Sequence, residues 1–206
     1  MKYTVSHDEI GTHIDWELEG VTAREIDWFW SNMEKGMILW HPSQHEPMEW
    51  AVPVKHGDPR GSIHIAPQTW SDGRRQNLYI RFEHLEHLED RFRDVVCYSH
   101  VASVAGLGLG PECLEKQSPM GYRIHQWQPS DIGVVGKSTA IGTRKPETVE
   151  DGKVWAAHAA EEVGNWAVFL PDIYRLYKVV TDTKRNPFAD LSVTGKGRTA
   201  RYTHMA

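Results

Sequence analysis

Two residues near the end of the chain have the type and spacing of a metal-binding pair. In Trp155-Ala-Ala-His158-Ala-Ala-Glu161-Glu162-Val-Gly-Asn-Trp166, His158 and Glu162 are four residues apart. On a helix this spacing puts both side chains on one face, with Cβ atoms roughly 5–6 Å apart, so both can reach one ion. At about 100° per residue the apolar stripe of such a helix is Trp155, Ala159, Val163, Trp166, Phe169 and Leu170. Glu162 falls inside the stripe, His158 lies at its edge, and Glu161 points away. A carboxylate on a buried face is costly unless it is paired or bound to a metal. Two readings stay open. Glu162 meets an arginine on a partly buried helix, or His158 and Glu162 are two ligands lining a cavity.

Composition narrows the setting. The chain has 206 residues, 40% hydrophobic and 25% charged, enough for one domain spanning 1–206 with its own core. A net charge of −5 argues against nucleic acid or a membrane surface as partner. No apolar run approaches the ~20 residues that span a bilayer. The polar start MKYTVSHDEIGTHIDWELEG has no apolar signal core. The expectation is a cytoplasmic protein. Cys97 and Cys113 are expected to be free, and the absence of a CxxC pair excludes a thiolate zinc site. Nine tryptophans point to a deep aromatic core or pocket, and twelve histidines supply material for an imidazole and carboxylate site.

In chain order, residues 1–20 read as extended or irregular. Thr22-Ala-Arg-Glu25 is a capping box opening a helix through Ile26, Trp28, Phe29, Trp30 and Met33, ending near Gly36. Residues 37–50 read as a short extended piece and an ordered loop broken by Pro42 and Pro47. That loop carries His41 and His45, a source of a further ligand, and His41, next to Pro42, is the one expected merely to bond backbone. Gly61–Trp70 reads as a strand with His64, Ala66 and Gln68 on one face and Pro67 marking an edge or bulge. Asn77–Phe82 is a second strand, and 83–92 has helical spacing of Leu85, Leu88 and Phe92, with His84 and His87 on a solvated face. Val95–Leu107, carrying His100, is a strand candidate, and Gly106–Gly110 reads as a turn. Tyr122–Trp127 and Gly133–Ile141 read as paired strands. Gly136-Lys137-Ser138 is no phosphate loop, because Asp131 stands where the motif requires glycine. The last helix starts between Thr148 and Lys153, Pro171 should kink or interrupt it, 172–180 reads as its continuation, and the tail 182–206 is either mobile or a strap across the body. Strands in a run closed by a long helix give an α+β fold, a curved sheet around a C-terminal helix enclosing a cavity into which Glu162 points.

Three stretches carry a family resemblance: Gly20-Val21-Thr22 with Ile26–Trp30, then Leu39-Trp40-His41-Pro42-x-x-His45, then His158-x-x-x-Glu162. Together they resemble the 2,4-diacetylphloroglucinol hydrolase family, to which phloretin hydrolase belongs. The resemblance covers most of 18–180. It implies a START/Bet v 1-like helix-grip fold and a zinc ion that serves hydrolysis of the carbon–carbon bond between an acyl group and a phenolic ring. It implies His45, His158 and Glu162 as zinc ligands. The family's fourth ligand is a glutamate on the following strand. Here that place falls near Gln68, with His64 on the same face, and Glu83 would need another register, so the fourth ligand is Gln68 or His64, or it is missing. Two histidines and one carboxylate with open positions also resemble a non-haem iron site, so iron is the alternative to zinc.

The sequence departs from the family where a tyrosine and an asparagine near the ligand histidine become Met37 and Met48. These losses of hydrogen-bonding groups imply a different substrate. The family's mid-strand histidine matches His100 or His125, either of which would donate a proton or bind a carbonyl. Tyr79 and Tyr122 are weaker candidates for that role. Trp40, Trp155 and Trp166 would wall a flat ring. The expected partners are a small aromatic substrate and, as an oligomeric option, a second copy of the chain. The rival reading is a START-like carrier of small hydrophobic ligands. A third is a metal enzyme of another reaction, such as ester hydrolysis or oxygen chemistry.

Overall fold

A computed structural model describes residues 1–116, 118–180 and 190–205. The chain opens with a hairpin of β1 (Lys2–His7) and β2 (Thr12–Glu19), then α1 (Ala23–Trp30) and a short α2 (Met37–Trp40). Strands β3 (Glu49–Val52), β4 (Ile63–Thr69) and β5 (Arg75–Phe82) lead to a short α3 (Asp90–Arg93). Then come β6 (His100–Gly108), α4 (Cys113–Lys116), β7 (Gly121–Ser130), β8 (Gly133–Gly142) and α5 (Val149–Val180). A second hairpin, β9 (Asp190–Thr194) and β10 (Arg201–Met205), ends the chain. Strands β1 to β8 form one antiparallel sheet in the order β1-β2-β8-β7-β6-β5-β4-β3. The sheet wraps one face of α5, so the fold is the α+β helix-grip of START and Bet v 1 domains. Among the described residues no helix is long and apolar enough to cross a membrane.

Local chemistry explains the elements that frame the cavity. In α1 the capping box forms as expected: Glu25 N–H donates to Thr22 Oγ1 at 3.3 Å and Thr22 N–H donates to Glu25 Oε2 at 2.7 Å. The helix stops at Trp30, earlier than expected, because Asn32 Nδ2 takes the Trp28 carbonyl at 2.8 Å, competing with the helical ladder. A 3₁₀ turn, Met33–Lys35, then carries the chain to Gly36. The extended piece expected at 37–40 is instead one helical turn. Met37 and Trp40, three apart, turn inward while Ile38 and Leu39 stay exposed. Pro42 ends that turn by forcing His41 into an extended conformation, φ −143°, ψ 81°.

Other departures have equally local causes. The helix expected over 83–92 is split into a 3₁₀ turn, Leu85–His87, and α3, yet Leu85, Leu88 and Phe92 are all buried. Gly106 and Gly108 belong to β6 rather than to a turn, and Gly108 packs closely on Cys113. Pro67 sits in the penultimate strand, where its carbonyl accepts from Glu46 N–H at 3.0 Å. Pro171 does not interrupt α5, which runs unbroken for 32 residues. The carbonyl that Pro171 deprives of a donor belongs to Ala167, on the helix's exposed side, where water can satisfy it.

The main core lies between the concave face of the sheet, α1 and α5. Trp166 stacks on Trp40 with ring centroids 5.8 Å apart and meets Phe29 and Trp30 edge-on. A second cluster, Leu85, Phe92, Ile124 and Ile141 among others, takes in Ala200 from the end of the chain. Of the tail, β9 packs on β6 and α1, and Arg198 pairs with Asp90 at 3.2 Å. Residues 182–189 and 206 lie outside the described residues.

Gly136 on β8 lies under the ring of Trp16, whose Nε1 donates to Ser138 Oγ at 3.2 Å. A Cβ at position 136 would collide with that ring and with the Gln126 carbonyl. Gly136→Ala is therefore expected to destabilise the protein by about 1–3 kcal/mol, read as a lower urea midpoint at unchanged slope.

Candidate metal centre and cavity

The loop after α2 is fastened at both ends before it presents any ligand. His45 N–H donates to the His41 carbonyl at 2.9 Å, closing one turn. Thr69 N–H donates to the Gln44 carbonyl at 2.9 Å, and an isolated β-bridge joins His45 to Gln68. From the other side Asn165 Nδ2 donates to the Trp40 carbonyl at 2.9 Å, tying the loop to α5. His45 therefore faces His158 and Glu162 across the gap between β4 and α5. All three are buried, at 5–6% exposure, so whatever they bind is shielded from bulk water.

The hydrogen bonds of the two imidazoles fix their tautomers. His45 Nδ1 donates to the Met37 carbonyl at 2.9 Å, and His158 Nδ1 donates to the Gln44 side-chain carbonyl at 2.9 Å. Both Nε2 atoms are then lone-pair acceptors. They lie 3.3 Å apart, and Glu162 Oε1 lies 3.4 Å from His45 Nε2 and 3.1 Å from His158 Nε2. Three electron-rich atoms converge, all within 4.8 Å of one another. Such an arrangement is balanced by a cation or a proton at its centre. Two imidazole nitrogens and a carboxylate oxygen, each imidazole held by a carbonyl behind it, are donors that could hold a divalent transition metal.

Electrostatics favours the ligating state of His45 and of Glu162 at neutral pH. Burial pushes the His45 imidazole down to about 4, with His158 adding to the shift, so it stays neutral. Burial alone would raise Glu162. The neighbouring His158, His45 and His125 outweigh it and hold the carboxyl below its usual range. The arginine reading for Glu162 is not what the contacts show: its ion-pair partners are His45 and His158, while Arg123 pairs with Glu147 at 3.6 Å. His41 stays outside the donor group, as expected of it. Its ring stacks on His158 at 4.4 Å and its Nδ1 lies 3.5 Å from Glu161.

Beside the three donors is a cavity of about 200 Å³. Met37, Trp40, Trp155, His64, Gln68 and His125 all line it, as the sequence suggests. Gln68, bridged to His45, is the nearer of the two fourth-ligand candidates by backbone pairing. His64 is wedged between the Trp50 and Phe82 rings, its Nδ1 has no partner, and burial pushes its imidazole down to about 3. His125 Nδ1 lies 3.0 Å from Ser138 Oγ, which also accepts from Trp16; a Ser138 O–H donated to Nδ1 would put the imidazole proton on Nε2. That tautomer has Nε2–H as a donor. Burial holds His125 down to about 4.

Three expected residues are elsewhere. His100, a candidate proton donor, starts β6 opposite Trp127 and pairs with Asp27 of α1 at 2.9 Å, outside the cavity lining. Trp166 lies one helical turn past Glu162 and is sealed under Trp40. Met48 packs on the core and does not reach the cavity. Trp30, Trp70, Arg123 and Glu147 also line the cavity, with no expectation from sequence to place them there. The alternation of β7 was the available signal for Arg123, since it shares a face with His125.

Solved structures share this architecture. Protein Ms6760 of Mycobacterium smegmatis aligns with 14% identity over 82% of this chain and 97% of its own, TM-score 0.53. A Rhodobacter sphaeroides protein aligns with 13% identity over 85% of this chain and 99% of its own, TM-score 0.51. At such identities the likeness is one of fold. Neither a family model nor a curated protein matches the chain.

Three buried histidines with lowered proton affinity set the pH response. The unfolded chain protonates them below about pH 6.5, the folded chain only near 3 to 4, so stability present above 6.5 falls through that window. Urea unfolding between pH 7 and 4 should show this loss. His125→Gln should remove a share on the order of 3 kcal/mol from it.

Proposed function

We propose that the chain holds a divalent metal, zinc in first place and iron as the alternative, on His45, His158 and Glu162. We infer further that it hydrolyses the carbon–carbon bond between an acyl group and a phenolic ring in a small aromatic substrate. The observation that carries the metal reading is the convergence of two Nε2 lone pairs and a carboxylate oxygen, with both Nδ1 atoms committed to carbonyls. When bound, such an ion would act as a Lewis acid and raise the acidity of water. The hydrolase reading rests in addition on the resemblance of the Trp40-His41-Pro42-x-x-His45 and His158-x-x-x-Glu162 stretches to the diacetylphloroglucinol hydrolase family.

The chain's own residues have definable roles in that reading. Met37 O and Gln44 Oε1 orient the imidazoles and fix their tautomers. Trp30, Trp40, Trp70 and Trp155 give a flat ring an apolar wall and exclude water. His125 presents Nε2–H to a carbonyl oxygen, held in that tautomer by Ser138. Water divides its atoms between the products: the acyl carbon takes hydroxyl and the ring carbon takes a proton.

A second reading has its own support. The cavity wall is mainly apolar, with Met37 where the family has a tyrosine, and the fold suits a carrier of small hydrophobic ligands. Metal quantification on the purified protein separates the two. Equimolar zinc or iron is expected, lost in Glu162→Gln and bound about 10–100-fold more weakly in Gln44→Ala. A screen of acylated phenols should then release a carboxylic acid and the deacylated phenol. A metal-free protein that binds aromatic ligands unchanged is the carrier.

A further inference from the structure

The inner cavity shares Trp70, Met120, Arg123, Glu147 and Trp155 with a shallower recess of about 300 Å³ that includes the exposed Arg74 and Lys145. Arg123 therefore stands where the outer recess passes into the chamber of the three donors. It comes from β7, two residues before His125, and its guanidinium lies over the Trp155 ring at 5.3 Å. That contact presses the fork against α5, one turn before His158.

The fork is incompletely used. Among the described residues its one hydrogen bond runs from Nη1 to the Tyr122 carbonyl at 3.0 Å. Glu147 Oε1 is 3.6 Å from Nη2, an ion pair too long for a hydrogen bond. A guanidinium has five N–H donors in a rigid plane, suited to two-point contact with a carboxylate or to a phenolate oxygen. Arg123 is thus oriented and charged, with donors to spare, at the edge of an apolar aromatic chamber.

We propose that Arg123 is the specificity-determining residue of the cavity and recognises an ionised oxygen on an aromatic ring, a carboxylate or a phenolate. Glu147 is its resting counter-ion, from which the ligand's oxygen draws the guanidinium. This rests on the cavity being the ligand site, and it adds the charge and the position of the ligand's polar end. The ring lies between Arg123 and the three donors, with the ionised oxygen toward the outer recess. The recess mixes Arg74 and Lys145 with Asp151, and Arg74 pairs with Asp72 at 2.6 Å, so the preference for an anion is assigned to Arg123 itself.

Calorimetric titration of the purified protein with matched probes tests this: benzoate against benzamide, and 4-nitrophenolate against nitrobenzene. Wild type should bind the charged member of at least one pair about tenfold more tightly than the neutral member. Arg123→Gln should erase that preference while leaving neutral binding in place. Because Arg123→Gln leaves Glu147 unpaired, the double variant Arg123→Gln with Glu147→Gln is measured beside it and should show the same loss. Glu147→Gln alone should tighten the charged probe and not the neutral one. The pair with the larger Arg123-dependent preference identifies carboxylate or phenolate. A preference that survives in Arg123→Gln, or neutral probes binding wild type as well as charged ones, overturns the assignment and leaves the cavity reading standing. If no probe binds wild type, the cavity reading and the assignment fall together.

Discussion

Three lone pairs meeting in a buried space are the constraint around which this chain is arranged. His45 Nε2, His158 Nε2 and Glu162 Oε1 repel one another unless positive charge lies between them. They are kept together by carbonyls behind the rings: Met37 O on one side, Gln44 Oε1 on the other. Those carbonyls are held in turn. Gln44 belongs to a loop stitched to β4 through Thr69 and to α5 through Asn165 and the Trp40 carbonyl. Moving any of these anchors would rotate an imidazole and disperse the donors.

The surrounding wall makes that convergence chemically consequential. Burial keeps His45, His64 and His125 neutral, and the Glu162 carboxyl lies below its usual range. Apolar rings line most of the remaining surface, with His125 and Arg123 as polar groups on β7. The sheet provides this contrast by simple parity. Alternate residues of β7 face the chamber, and those between them face the second core cluster, where Ile124 lies.

Sequence made one part of this plain and left another out of reach. Helical periodicity was enough to put His158 and Glu162 on one buried face, since both depend only on neighbours along α5. Strand alternation likewise placed His64, Ala66 and Gln68 together. The pattern of 172–180 carried α5 past Pro171, but that the helix passes it without interruption depends on Ala167 being exposed, which is a tertiary fact. His100 failed for a related reason: parity says which face a strand residue occupies, not which end of the sheet it reaches. The second ring nitrogen of His158 is tied by Gln44, 114 residues earlier, and no local pattern announces such a contact. The helical turn at Met37–Trp40 was hidden by Pro42, which stops a helix at His41 but leaves the turn on its N-terminal side intact.

The separation between the loop and α5 has a consequence for how the protein assembles. His45 and His158 are 113 residues apart, and the sheet strands β3 to β8 lie between them. In the unfolded chain the donors are dispersed, so the site exists only once the sheet has closed and α5 has docked. An ion bound there would act as a cross-link between the first quarter of the chain and its last long helix. It would favour the folded state by mass action, with a strength that follows the concentration of free ion. The fold's thermal endurance would then record the supply of metal around it.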